Sequence, residues 1–324
     1  MTSGRARRRA RWALFAAATA TAACMSAAPA QAQPFPPMCA DGWEATTLVA
    51  GVGNLENLDS DGAGGFYVTG ITDGFLAHLA ADGTFEKLVT GLDNPAGVRT
   101  AGRSVYFLTG DGVTAAPGTL QRYDLDTRAV TVLRTGLNGP DGVLLLPDGD
   151  LLISTIGVTG LPGGISRYRP ATGEFTERWS PLSLTNGLAL APDGRSIYTD
   201  NLTMRIFRVP LDAPGDPQVV ASFPELLAVP DDMEATRDGT LYVADHGVGG
   251  VYRVDPATGT NCAIITGLIK PPDPIRMPPD GATSVRIARD GEAWALFVTS
   301  MDGTLRRLRP PPGIDLTPAD AGRR

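Results

Sequence analysis

Short runs of apolar and aromatic residues, each bounded by a turn rich in Asp and Gly, recur along most of the chain. Each unit holds a turn with Asp-Gly or a similar pair, a short aromatic or aliphatic strand, and then a second strand that is usually led by Gly and usually contains arginine. Gly65-Phe66-Tyr67-Val68 is followed by Gly74-Phe75-Leu76, and Val105-Tyr106-Phe107-Leu108 by Gly118-Thr119-Leu120-Gln121-Arg122-Tyr123. Asp150-Leu151-Leu152-Ile153 leads to Gly164-Ile165-Ser166-Arg167-Tyr168, and Ser196-Ile197-Tyr198 to Arg205-Ile206-Phe207-Arg208. Thr240-Leu241-Tyr242-Val243 leads to Gly250-Val251-Tyr252-Arg253, and Ala293-Trp294-Ala295-Leu296 to Gly303-Thr304-Leu305-Arg306. That makes six copies. Five of them continue into a further strand, at 85–90, 130–135, 175–179, 219–223 and 262–266. The sixth runs out of chain near Arg309, and a matching strand stands at the other end, at 46–50.

Repeats of 40 to 50 residues with four strands apiece predict a β-propeller. The expected fold is therefore all-β: a six-bladed propeller of four-stranded blades over residues 45–309, closed by an N-terminal strand that completes the last blade. Closure removes the open sheet edge that a linear array would expose. Residues 33–44 read as a lead-in, and 310–324, opening on Pro310-Pro311-Pro312, as a disordered tail. Helical periodicity is absent outside the first residues.

Charge changes the picture at the N-terminus. Arg5, Arg7, Arg8, Arg9 and Arg11 precede an apolar run from Trp12 to Ala23, and Ala30-Gln31-Ala32 follows with small residues two apart. This is the pattern of a secretory signal over residues 1–32, too short to span a bilayer of roughly 30 Å. A secreted or periplasmic location is expected, with no transmembrane segment in the mature chain; lipid attachment at Cys24 is the lesser reading. The whole chain of 324 residues carries net charge −7; with the five head arginines set aside, 23 basic residues face 35 acidic ones, a net of −12. An acidic body repels phosphate backbones, so no nucleic-acid partner is expected. Export leaves Cys39 and Cys262. These flank neighbouring outer strands of the last two blades, so a disulfide across the seam is favoured over two buried thiols.

The repeats align a column at the start of each innermost strand: Glu56, Ala96, Asp141, Asn186, Asp231 and Thr283. Four of these carry a carboxylate or carboxamide oxygen, and their strands all begin at one mouth of the ring. Three carboxylates gathered there repel unless a cation lies among them. Oxygen donors without His or Cys suit Ca²⁺. Turn capping is the competing explanation for Asp and Asn at such positions, but Glu56 is a poor turn former.

These segments resemble the SMP-30/gluconolactonase/LRE family, six-bladed propellers that hold a divalent cation on the axis and include lactonases. The resemblance rests on Leu55-Glu56-Asn57, on Asn186-Gly187-Leu188-Ala189 with Pro192-Asp193-Gly194, and on Pro230-Asp231-Asp232-Met233, where Asp232 replaces the family's glycine. It implies Glu56, Asn186 and Asp231 as metal ligands. Gly139-Pro140-Asp141-Gly142 stands where the family has an Arg-x-Asn-Asp-like element, here without the arginine.

Other chemistries are excluded by what is missing. With only His78 and His246 a three-His zinc site cannot form, and neither a His-Glu-x-x-His, a Gly-x-Ser-x-Gly nor a Walker-type loop occurs. Asp59-Ser60-Asp61-Gly62 opens like a calcium loop, but its twelfth position is Gly70, so it reads as a blade turn. The residues after each second strand rim the same mouth, which makes His246 and Asn201 candidate substrate-binding groups. The expectation is an exported metal-dependent hydrolase: a Ca²⁺ held by Glu56, Asn186, Asp231 and Asp141, Asp231 or Asp141 as proton acceptor, and a small lactone or ester substrate. A monomer is expected. The alternative is a non-catalytic propeller that binds a small molecule or protein around a structural metal.

Overall fold

The computed structural model describes residues 35–39, 42–112, 117–157, 162–271 and 280–321. The head at 1–32 and most of the Pro-rich stretch after Lys270 lie outside the described residues. Within them the chain forms 24 strands in six four-stranded antiparallel sheets. Strand β1 (Glu44–Val49) precedes the first complete blade, which is β2 (Leu55–Ser60), β3 (Phe66–Gly70), β4 (Phe75–Leu79) and β5 (Phe85–Thr90). Blade 2 comprises β6 (Val98–Ala101), β7 (Ser104–Thr109), β8 (Gly118–Asp124) and β9 (Val130–Leu137). Blade 3 comprises β10 (Pro140–Leu145), β11 (Leu151–Thr155), β12 (Gly164–Arg169) and β13 (Glu174–Ser180). In blade 4 the order is β14 (Thr185–Leu190), β15 (Ser196–Asn201), β16 (Arg205–Pro210) and β17 (Gln218–Ser222). Blade 5 follows as β18 (Pro230–Ala235), β19 (Leu241–Asp245), β20 (Gly250–Asp255) and β21 (Thr260–Ile265). The sixth supplies β22 (Ala282–Asp290), β23 (Ala293–Ser300) and β24 (Thr304–Arg309), and β1 pairs antiparallel with β24 as its outer edge.

The core is not one mass but six apolar clusters, one in each gap between neighbouring blades. Alternation along a strand explains this. Val143 packs toward blade 2 and Leu144 toward blade 4, and Leu151 and Leu152 divide the same way. Each sheet thus has two apolar faces and is stable only between neighbours. At the seam Phe66 of blade 1 packs on Phe297 of blade 6, with ring centroids 4.5 Å apart.

Cys39 and Cys262 form a disulfide, their Cα atoms 5.1 Å apart. Around it Cys39 N–H donates to Ala263 O and Ala263 N–H to Pro37 O, so the lead-in is laced to the outer edge of blade 5 before it enters blade 6 as β1. The tail corrects the expectation of disorder over residues 310–321; the remainder of that segment, 322–324, lies outside the described residues. Residues 310–321 cross from β24 to the end of β18, where Arg237 N–H donates to Thr317 O and Ala319 N–H to Ala235 O. Leu316 is buried against the cluster between blades 5 and 6. The prolines prevent a regular element but not packing. Among the described residues no helix is long and apolar enough to cross a membrane.

Candidate metal centre

In five blades the two innermost strands slip register at the column position, in blade 6 between Ala282 and Ser284. Leu55 pairs with Gly70 and Leu58 with Val68, so Glu56 and Asn57 together face Thr69 alone. In the same way Asp141-Gly142 face Ser154, Asn186-Gly187 face Asp200, and Asp231-Asp232 face Ala244. Each is a β-bulge, which bends the strand and re-aims a side chain. The freed N–H of the second bulge residue needs an acceptor, and the residue opposite provides it. Asn57 N–H donates to Thr69 Oγ1 (3.1 Å), Gly142 N–H to Ser154 Oγ (2.7 Å) and Gly187 N–H to Asp200 Oδ1 (2.7 Å). Blade 5 has Ala244 there, and its bulge instead closes through Met233 N–H donating to Asp232 Oδ1 (2.8 Å).

The first bulge residues converge. Carboxylate oxygens of Glu56, Asp141 and Asp231 all lie within 4.8 Å of one another, and all three side chains are buried. Oδ1 of Asp141 and Oδ1 of Asn186 are buried with no hydrogen-bond partner. Burial pushes the carboxyls of Glu56, Asp141 and Asp231 well above the ordinary carboxylate range, and the charges of their neighbours push the same way. An arrangement of this kind is costly as it stands. Hard oxygen donors with two orphaned acceptors fit a divalent cation, which would neutralise the repulsion and satisfy the orphaned oxygens. The residues therefore suit the metal that the column implied.

The remaining column members do different work. Thr283 donates to Leu55 O (3.0 Å) and so fastens blade 6 to blade 1, while Ala96 is buried and offers no ligand. Blade 2 contributes instead through Asp111, beyond the end of β7, whose charge raises the carboxyls of Glu56, Asp141 and Asp231. Asp111 was missed because the column followed innermost strands only; the exits of the second strands, already used for blades 4 and 5, would have reached it.

His246 stands at the mouth. Its Nε2 lies 3.1 Å from Asp280 Oδ1 and its Nδ1, which has no hydrogen-bond partner, 3.9 Å from Asp231 Oδ2. Asn201, expected to face substrate, is drawn into its own hairpin. Its Oδ1 accepts from Thr203 N–H (3.1 Å) and Thr203 Oγ1 (2.6 Å), and its Nδ2 donates toward Ser183 O. Strand alternation gives the inward position to the preceding residue, Asp200, whose Oδ2 is buried and unpartnered and whose carboxyl burial pushes well up. His78, in β4, pairs with Asp61 (2.9 Å) and stacks on Tyr67, away from this mouth. Asp61 Oδ1 accepts from Ala63 and Gly65 N–H, so this segment is the blade turn its sequence suggested.

Below the bulges lies a second polar cluster that sequence did not reveal. Asp232 Oδ2 accepts from Asn57 Nδ2 (2.8 Å), Ser284 Oγ (2.7 Å) and Arg286 Nη2 (2.7 Å), and Arg99 Nη2 lies 3.7 Å away. Asp232 thus ties blades 1, 2, 5 and 6 together.

Comparison with known proteins agrees with this architecture. Residues 154–267 match the model of the SMP-30/Gluconolactonase/LRE-like region, a stretch that includes Asn186 and Asp231. Among solved structures, a gluconolactonase from Xanthomonas campestris aligns with a TM-score of 0.67 at 18% identity, over 86% of this chain and 97% of that one. A calcium-binding regucalcin from Agrobacterium tumefaciens gives a TM-score of 0.66 at 20% identity, over 88% and 98%. A virginiamycin B lyase from Staphylococcus aureus gives 0.56 at 13%, over 83% and 99%. At these identities the likeness establishes the fold. No curated protein matches the chain.

Proposed function

Because residues 154–267 form an SMP-30/gluconolactonase/LRE-like region, we propose that this chain is an exported, Ca²⁺-dependent hydrolase of a small lactone or ester. The single observation that carries the reading is the meeting of Glu56, Asp141 and Asp231 oxygens within 4.8 Å, beside the orphaned Oδ1 of Asn186. Those four residues would hold the cation. Bound there, it would supply Lewis-acid polarisation of a carbonyl and a water of lowered pKa.

The protein's own groups supply the rest. Asp231 or Asp141 takes the proton of the attacking water, since their carboxylates stand among the groups that would hold the cation. His246, fixed by Asp280 through Nε2, presents Nδ1 beside Asp231, where it accepts a hydrogen bond from a substrate hydroxyl. Export and a monomeric state belong to the same proposal; the Cys39–Cys262 disulfide supports the first.

The test is a Ca²⁺ titration of metal-stripped protein, followed by melting temperature and by turnover of a lactone and aryl-ester panel. Saturation at 100 times Kd should stabilise the fold by about 2.7 kcal/mol, and Asp231→Ala should abolish both this gain and turnover. An unchanged melting temperature together with no hydrolysis would refute the proposal. Stabilisation without turnover of any substrate would leave a structural metal in a binding propeller.

A further inference from the structure

The innermost strands run away from the metal centre and end around a second opening, at the far end of the axis. A cavity of about 1040 Å³ lies there, lined by the last residues of these strands and by Thr317–Ala321 of the tail. That is the size of a small-molecule site. Its lining is divided by chemistry. Leu144, Leu146, Leu188 and Leu190 form an apolar wall from blades 3 and 4, while the rest of the lining carries both signs, with Arg99, Arg286 and Arg289 alongside Asp59, Asp61, Glu234 and Asp320.

Two of these arginines differ in how far they are used. Arg286 is consumed by the fold: Nε donates to Leu58 O, Nη1 to Met233 O and Nη2 to Asp232. Arg99 is equally buried, yet only its Nη1 makes hydrogen bonds, to Asn57 Oδ1 and Val98 O. Its Nη2 stops 3.7 Å from Asp232, beyond hydrogen-bond reach, and its Nε has no acceptor among the described residues. The Nε–Nη2 edge is the face of a guanidinium that grips a carboxylate with two parallel bonds. Beside it, on the neighbouring innermost strand, Asp59 accepts from Thr100 N–H and Oγ1 through Oδ2, whereas its buried Oδ1 has no partner. A buried acceptor without a partner is expensive in a folded interior, and the Nε–Nη2 edge of Arg99, a residue that lines the same cavity, has donors to spare.

We propose that this far-end cavity binds a hydroxylated carboxylic acid with an apolar chain. The carboxylate sits on the Nε–Nη2 edge of Arg99, the hydroxyl donates to Asp59 Oδ1, and the chain lies along the leucine wall. The site does not depend on the metal centre, since the Asp232 cluster stands on the axis between the bulges and Arg99.

The experiment is calorimetric titration of the intact protein with 3-hydroxyoctanoate, octanoate and 1-octanol, repeated in EDTA and with Arg99→Lys, Ala101→Trp and Glu56→Gln. The hydroxy acid should bind more tightly than octanoate, and 1-octanol should not bind. Arg99→Lys keeps the charge but loses the fork, and should weaken the hydroxy acid by about ten-fold or more. Ala101→Trp, two residues along the same strand, fills the lining while keeping the Arg99 guanidinium, and should abolish binding even if the lysine variant fails to fold. Glu56→Gln and EDTA, which act on the metal centre, should leave the affinity for the hydroxy acid unchanged. The proposal is overturned if neither acid binds, if the alcohol binds as well as the acids, or if Arg99→Lys and Ala101→Trp leave the affinity unchanged. Loss of binding in EDTA or in Glu56→Gln alone would also overturn it, by placing the ligand at the metal centre.

Discussion

Replacing Asp232 with alanine removes the acceptor on which blades 1, 2, 5 and 6 converge. The carboxylate is 1% exposed and takes hydrogen bonds from Asn57, Ser284 and Arg286, with Arg99 3.7 Å away. Its loss strands two buried guanidiniums, although Arg286 keeps Glu234 at 3.5 Å. Breaking a buried ion pair by removing one partner costs about 3–5 kcal/mol, and the partial compensation by Glu234 favours about 3. A chain of 324 residues, at about 2.1 cal/mol/K of unfolding entropy per residue, loses roughly 1.5 °C per kcal/mol, so the midpoint should fall by roughly 4–5 °C. Chemical denaturation read by circular dichroism and tryptophan fluorescence measures it. Asp232→Asn, which keeps an acceptor and the shape, should cost less. Asp232→Ala combined with Arg286→Met should cost less than the sum of the two single changes, since each removes the other's penalty. A loss under 1 kcal/mol for Asp232→Ala, or strict additivity in the double variant, would refute the view that this aspartate organises the axis.

Two further outcomes follow from the ring's closure and close packing. The Cys39–Cys262 bridge spans 223 residues, for which chain entropy gives an upper value of roughly 5 kcal/mol; Cys39→Ser with Cys262→Ser should therefore lower unfolding free energy by roughly 2–5 kcal/mol, and equal stability of the oxidised and double-serine proteins would contradict this. At Gly187 an added Cβ would come within 2.3 Å of Asp231 O and 2.5 Å of Asp232 Cα, so Gly187→Ala should cost roughly 1–3 kcal/mol and weaken Ca²⁺ binding, both measured by melting with and without the ion.

The ring was legible because repetition multiplies a weak signal. A single stretch such as Thr240–Val243 is an ambiguous apolar run, but six of them with one strand displaced to the other terminus leave few architectures. The column of Glu56, Asp141, Asn186 and Asp231 was legible for the same reason. What escaped was whatever depends on the exact face of a strand or on contacts between distant blades. Asn201 and Asp200 are adjacent in sequence, and only the pairing across the bulge decides which of them turns inward. Asp232 read as a departure from a motif; its partners Asn57, Ser284 and Arg286 lie 52 to 175 residues away, and no local pattern links them. Pro310-Pro311-Pro312 suggested a disordered tail, but Leu316 finds its slot through a gap between two blades that is visible only once they are assembled.

One position, the second residue of each inner-strand pair, explains how the two ends of the axis differ. In blades 2, 3 and 4 it is Gly97, Gly142 and Gly187, and an added Cβ at each would strike the carbonyl of the next blade's column residue at 2.3–2.7 Å. Glycine here lets neighbouring backbones close up, which is what brings Asp141, Asn186 and Asp231 near one another. In blades 5, 6 and 1 the same position holds Asp232, Ser284 and Asn57, whose side chains meet in a hydrogen-bonded cluster. One half of the ring is therefore drawn together by the absence of side chains and the other half by polar ones. The cluster that results engages Arg286 fully but reaches Arg99 only through Nη1 and a distant Nη2, so the same substitutions that fix the metal centre from below leave a donor edge facing the opposite cavity.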